Sequence, residues 1–184
     1  MRVLIGIDDT DNKESRGTGY RARKMAALIA ENGLGAVNGI TRHQLFFDPR
    51  IPYTSQNSSA CLDVEVEALE PLKTFCRSFM LDDCADGSDA GLCIHAYHEV
   101  PEDVVEWGKR AKDTILYKND GYALAAKNNI YLEGLTGTKD GIIGALASLG
   151  LRKTGNDGRF IWLRGKELRR SEERRVGKEC RSRW

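Results

Sequence analysis

No apolar run in this chain of 184 residues approaches the ~20 that a bilayer span requires, so a membrane-crossing helix is not expected. Met1-Arg2 leads straight into Val3-Leu4-Ile5, without the basic, apolar and small-residue order of a secretory signal. Five cysteines (Cys61, Cys76, Cys84, Cys93 and Cys180) show no CxxC pair, which argues against a zinc framework and leaves free thiols in a cytoplasmic protein. There is no internal repeat, no low-complexity segment and no linker before residue 170. The formal charge of +1 offers no global basic excess for non-specific nucleic-acid binding. What remains is an ordinary globular composition, 41% hydrophobic and 30% charged, sized for one domain.

The last stretch, Arg170 to Trp184, is dense in charge and has no apolar periodicity. It reads as the translation of a common short-read sequencing adapter and is set aside from fold reasoning. On that reading the native body is 1–169, carries 22 basic against 24 acidic groups, and continues in nature past Arg169. A native basic tail that binds nucleic acid is the alternative.

Apolar periodicity places a strand at the start and a helix over Thr18–Asn32, with Ala22, Met25, Ala26 and Ile29 on one face and Gly33 as stop. Strands are expected over Gly35–Phe47, Cys61–Val66 and Leu92–Tyr97, with a helix from Pro71 to Met80 between the last two. That order is β-α-β-β-α-β, the split arrangement of ferredoxin-like folds. Helices over Pro101–Leu116 and Gly121–Lys127, a strand Ile130–Leu132, a helix Ile142–Leu149 closed by Gly150, and a strand Arg159–Leu163 complete one α+β body.

Gly6-Ile7-Asp8-Asp9-Thr10-Asp11 puts three carboxylates in four residues where the first strand leaves the sheet. Like charges in a partly dry crevice repel and resist desolvation, and a hard cation such as Mg²⁺ compensates them. An Asx-type turn accounts for one such aspartate but not for three. Next comes Arg16-Gly17-Thr18-Gly19-Tyr20-Arg21, a glycine turn opening a helix that is basic at its start, with Arg23 and Lys24 following. Cations there oppose the helix macrodipole, each costing up to ~1 kcal/mol when exposed. A bound phosphate reverses that cost, because free N–H groups, Gly17, Gly19 and the arginines would all face it. A merely solvated basic face is the alternative.

The turn Gly134 to Gly141 feeds another helix, and Gly137, Thr138 and Lys139 are its candidate phosphate contacts, although it fails the G-x-x-x-x-G-K-[ST] pattern. Leu81 to Asp89 is a second acidic loop that lacks calcium-loop spacing and reads as a solvated surface loop, with recognition of a cationic group as the functional option. His43 is the histidine worth following, because it ends a strand beside a polar loop. His95 and His98 fall on opposite strand faces and do not share a metal. No Ser-His-Asp or Cys-His order stands out.

The start through Asp8-Asp9-Thr10-Asp11 resembles the N-terminal catalytic domain of the archaeal agmatinylcytidine synthetases that modify isoleucine tRNA. The resemblance continues at Ile51-Pro52-Tyr53, Gly137-Thr138 and Gly141-Ile142-Ile143-Gly144-Ala145-Leu146-Ala147. Arg42-His43, Asn57-Ser58-Ser59 and Gly155-Asn156-Asp157-Gly158 look closer to uncharacterised bacterial relatives. The resemblance implies ATP and Mg²⁺ as cofactors, with Asp8, Asp9 and Asp11 holding the metal and phosphates and Thr18 beside the transferred phosphoryl group. It also implies a nucleobase-like acceptor such as a tRNA wobble cytidine, phosphorylated at its C2 oxygen, with a small amine then displacing the activating group. Arg21 and Lys139 are added as transition-state cations. The family loop usually reads Cys-Thr-Thr where this chain has Gly17-Thr18-Gly19, and the family's OB-fold and zinc-ribbon regions have no counterpart spacing here.

The expectation is a ferredoxin-like α+β domain with C-terminal additions and ligase- or kinase-like, ATP-dependent chemistry. The competing reading is a non-catalytic nucleotide- or phosphate-binding module.

Overall fold

The computed structural model describes residues 1–53 and 56–166. Their elements run β1 (Arg2–Asp8), α1 (Thr18–Glu31), β2 (Ala36–Gln44), β3 (Ser58–Glu65), α2 (Leu69–Asp83), β4 (Gly91–Ala96), a 3-10 turn (Tyr97–Glu99), α3 (Glu102–Arg110), α4 (Lys118–Lys127), β5 (Tyr131–Gly134), α5 (Ile142–Thr154) and β6 (Arg159–Leu163). One six-stranded sheet has the order β5-β4-β1-β3-β2-β6, and every pairing is antiparallel. The inner order β4-β1-β3-β2 is the ferredoxin-like core expected from the sequence, and β5 and β6 extend its two edges.

Strand alternation sends β1 side chains to two different cores. Val3, Ile5 and Ile7 join Met25, Ile29, Leu72 and Met80 of α1 and α2 on one face. Leu4 packs on the other face with Val104 and Trp107 of α3 and with Ala145, Leu146 and Leu149 of α5. Burying both faces explains why β1 is almost continuously apolar. Helix α5 lies directly on β1, and a Cβ at Gly6 would stand 2.1 Å from the Ala145 carbonyl oxygen.

Several expected boundaries move by a few residues, among them the end of β2 (Gln44 and not Phe47) and the start of α4 (Lys118 and not Gly121), and two of the shifts have a clear local reason. Gly150 does not end α5. A side chain there would stand 2.1 Å from the Val104 carbonyl of α3, so the glycine serves close helix packing. The helix runs on to Thr154 and is capped by Gly155 at φ 72°. The long helix expected from Pro101 stops at Arg110, because the Ala111 carbonyl accepts the Phe46 N–H at 2.9 Å instead of continuing the ladder. Residues 111–117 become a connection that docks against the β2–β3 loop.

Cys61, Cys76, Cys84 and Cys93 are free. Burial pushes the Cys61 and Cys76 thiols up to about 12, which leaves them inert at neutral pH. Cys180 and the 170–184 stretch lie outside the described residues. No helix among the described residues is long and apolar enough to cross a membrane.

Candidate active site

The acidic run sits where β1 ends beneath the start of α5. Asp8 is the last strand residue and is 9% exposed. Its carboxylate occupies the space that a side chain at Gly144 would fill, 1.8 Å from that Cβ position. Asp9 then turns the chain with φ 52°, a left-handed conformation that aspartate tolerates better than most residues, and its N–H donates to Asp8 Oδ1 at 2.8 Å. Thr10 is buried and its hydroxyl donates to Thr18 Oγ1 at 3.1 Å. The Thr18 hydroxyl in turn donates to Asp11 Oδ1 at 3.2 Å. These bonds tie the strand end to the first residue of α1.

The second acidic loop belongs to the same construction rather than standing apart in solvent. Ala85 N–H donates to the Thr10 carbonyl and Asp89 N–H to the Asp9 carbonyl. Asp89 Oδ1 accepts the Thr138 N–H, and the Asp89 carbonyl accepts the Gly141 N–H at 2.9 Å. Asp89 and Asp140 thereby come close enough to act on Asp9. Burial first, then the charges of Asp89, Asp11 and Asp140, push the Asp9 carboxyl up to about 6. Burial and the Asp9 charge drive Asp8 well above the carboxylate range, against the opposing Asp9 N–H.

Asp8, Asp9, Asp11 and Thr18 line one cleft of about 360 Å³. Asp140, Gly141 and Gly144 close its acidic end at the start of α5. The opposite wall is largely apolar, with Leu45, Ile51, Pro52, Ile115 and Leu116 joined by Tyr53 and Tyr117. The cations on its lining are Arg50 and Lys118. An acidic end, a helix N-terminus and an apolar wall with aromatics suit a nucleotide, whose phosphates and base need opposite surroundings.

The remaining sequence candidates divide. Gly17 precedes α1 with its Cβ position 4.0 Å from Asp11 Oδ2, so the glycine faces the carboxylates. Gly19 packs against Ile161 of β6 instead. Arg21 does not line the cleft. It is buried, its Nε donates to the Asp83 carbonyl at 2.8 Å, and Lys24 pairs with the Asp83 carboxylate. Arg21 and Lys24 are thus answered by the C-terminal end of α2, whose carbonyls and negative dipole end attract cations, whereas Arg16 lies over the Tyr20 ring. The phosphate argument therefore loses Arg21 and Lys24 as its cations. Gly137 (φ 49°) rests against Asp89, and the Thr138 hydroxyl donates to Asp140 Oδ2 at 2.8 Å. Lys139 has φ 67° and is absent from the lining. His43 lies outside the cleft, fully buried, with Nδ1 2.9 Å from Asp157 Oδ1 and Nε2 2.8 Å from Thr41 Oγ1.

Sequence reasoning missed Asp140 and Lys118, read the loop ending at Asp89 as a solvated one, and met Ile51-Pro52-Tyr53 only as part of a resemblance and not as a wall. The acidic loop was visible in sequence, but its partner was not. The wall comes from stretches that are distant in sequence, residues 45–53 and 56–58 on one hand and 111–118 on the other.

Mg²⁺ and nucleotide are the groups that these residues must be tested against. Among the described residues no group of three His, Cys, Asp or Glu side chains is arranged to hold a metal ion by itself. Mg²⁺ is rarely caged by protein alone and usually takes one or two carboxylates plus phosphate oxygens and water. A buried carboxyl, Asp8, and a partly buried one, Asp9, both pushed above their ordinary range, fit that partial donor set, because a cation would relieve both.

No protein-family model matches the chain. An uncharacterised protein of Methanocaldococcus jannaschii is 29% identical over 157 residues, covering 82% of this chain and 50% of its own length. Among solved structures, apo TiaS, an agmatidine synthetase of isoleucine tRNA, matches with TM-score 0.70 and 25% identity over 82% of this chain and 35% of that one. The complex of TiaS with that tRNA and ATP matches with TM-score 0.71 and 25% identity, covering 36% of that chain. The fold is TiaS-like, and the likeness is to an ATP-using, tRNA-modifying enzyme. The curated relative is archaeal, which corrects the expectation of a closer bacterial affinity. The chain spans about half the length of that relative and about a third of the solved structures.

Proposed function

We propose that the cleft binds Mg·ATP and transfers a phosphoryl group to a nucleobase-like acceptor, with the tRNA wobble cytidine as first candidate and a small amine such as agmatine as second substrate. The single observation that carries this reading is the convergence of Asp8, Asp9, Asp11 and Thr18 on one cleft with a helix N-terminus at its acidic end. The likeness to a synthetase solved with tRNA and ATP supports it.

In this reading Asp8 and Asp9 hold Mg²⁺ and the nucleotide phosphates, with Asp11 beside them. The metal, when bound, neutralises charge on the phosphate oxygens. The start of α5 turns the positive end of its dipole toward the same oxygens. Thr18, tied to Asp11 and Thr10, stands beside the phosphoryl group, and the apolar wall excludes water from the base. Phosphoryl transfer needs little more than such positioning and charge stabilisation. A non-catalytic nucleotide-binding module is the second reading, favoured by Gly17 and Gly19 flanking Thr18 where the resembling family has Cys and Thr.

Calorimetry with Mg·ATP, followed by ATP-consumption assays with tRNA transcripts and amines, tests both readings. The wild type is expected to bind Mg·ATP and to consume it with an acceptor, and Asp9→Asn to lose consumption by at least a hundredfold. Binding without consumption for any acceptor leaves the module. No nucleotide binding removes both readings.

A further inference from the structure

We infer that Lys118 is the phosphate-binding cation of the cleft, held by Asp140 until a nucleotide takes its place; this rests on the nucleotide reading above. The two cations expected from sequence are elsewhere, since Arg21 is bound to the end of α2 and Lys139 lies off the lining. Lys118 does line the cleft, on the same side as Asp140 and Gly141 at the start of α5. Its Nζ is 3.0 Å from Asp140 Oδ1 and donates to the Thr138 carbonyl at 2.6 Å. Asp140 is also one of the charges that push Asp9 upward, so Lys118 stands one carboxylate away from the proposed metal end.

Its position in the fold is hard to explain otherwise. Lys118 is the first residue of α4, whose N-cap, Tyr117, makes no side-chain cap. A cation there opposes the helix dipole. An exposed lysine–aspartate pair contributes little to stability, and both partners here are well exposed, at 39% and 41%. The pair therefore gives weak structural benefit for an unfavourable placement. An ammonium on a flexible stem at a cleft wall is, by contrast, a common way to meet a polyphosphate. Arg50 is already engaged by Asp48 in a two-pronged pair, 2.7 and 2.8 Å, at the exposed mouth. When a phosphate enters, Lys118 exchanges Asp140 for a phosphate oxygen without moving its backbone.

The test is calorimetric titration of ATP, ADP and adenosine into wild type, Lys118→Met, Lys118→Arg and Asp140→Asn, with and without Mg²⁺, each variant first checked by thermal melting. Lys118→Met is expected to weaken ATP binding at least tenfold and ADP binding by less, and to leave adenosine within twofold. Lys118→Arg keeps ATP within threefold. Without Mg²⁺, Asp140→Asn binds ATP as tightly as wild type or more so, because the lysine is released. Unchanged ATP affinity in Lys118→Met, in a wild type that binds ATP, overturns the assignment. An equal loss in Mg²⁺-free Asp140→Asn also overturns it, since the pair would then act only by fixing the α5 start. A wild type that binds no ATP ends the nucleotide reading itself, and this assignment with it.

Discussion

Two buried aspartates lie under the two ends of α5, and they are treated in opposite ways. Asp63, near the C-terminal end of the helix, is 1% exposed and fully answered. Arg2 grips it with Nε and Nη2 at 2.9 and 2.6 Å, Arg152 from α5 adds Nη2 at 2.9 Å, and Asn38 donates at 3.2 Å. Burial alone would raise its carboxyl, but those donors outweigh burial and hold it below the usual range. Asp8, under the N-terminal end, accepts one backbone N–H and faces Asp9 and Asp11, so burial and those charges drive its carboxyl up. The same sheet face therefore directs its cations to one carboxylate and leaves the other cluster in mutual repulsion. A carboxylate paired by the protein stabilises the fold, whereas one left in repulsion is a binding site held ready at a cost to the fold.

The largest expected effect breaks the paired end. Asp63→Ala leaves Arg2 and Arg152 facing each other beside the core, and should cost about 3–5 kcal/mol in urea unfolding. A loss under ~1 kcal/mol, the scale of an exposed pair, would show that the network contributes nothing beyond its packing.

The opposite sign is expected at the other end. Asp9 has its folded pKa raised to about 6 from 3.8, so its contribution to stability is fully present below pH 3.8 and is lost as pH rises through 6. Asp9→Asn removes that loss and should stabilise the ligand-free chain at neutral pH by roughly 1–2 kcal/mol, after discounting for solvent screening. The same variant should lose the gain in melting temperature that Mg·ATP gives wild type. A variant that is less stable than wild type at neutral pH contradicts the contrast.

His43 sharpens the contrast from a third position, because burial lowers its pKa from 6.5 against the pull of Asp157. The unfolded chain then binds more protons below 6.5, so stability is full above that pH and is lost as pH falls below it. The slope of unfolding free energy with pH, just below 6.5, should be positive for wild type and reduced in His43→Gln, as read from urea titrations across that window. Equal slopes would mean that His43 does not report on burial.

Most of the frame was legible because period and burial agree in it. Val3-Leu4-Ile5, Ala22-Met25-Ala26-Ile29 and the Gly91–Ala96 strand each carry the pattern of the layer they enter. The acidic end of the cleft was legible as well, since three carboxylates at a strand end have few structural uses. The wall opposite was not, because its form depends on pairings such as Phe46 N–H with the Ala111 carbonyl that no local pattern announces. Lys118 was invisible for the same reason. Its partner Asp140 is brought beside it only by the loop that Asp89 pins from below.

The smallest expected effect on binding belongs to Arg21, and it tests the reassignment directly. In sequence, a basic residue after a glycine turn and an acidic strand end reads as a phosphate ligand. In the fold its guanidinium is buried against the end of α2, donating to the Asp83 carbonyl at 2.8 Å and to the Arg16 carbonyl. Arg21→Met keeps the stem and removes the donors, leaving α2 with an unanswered carbonyl. It should cost about 1–3 kcal/mol in unfolding free energy and leave ATP affinity within twofold of wild type. If ATP binding instead falls tenfold while stability holds, Arg21 reaches the phosphates after all. The boundary between structural and ligand-directed charge would then run through α1 rather than between the two ends of α5.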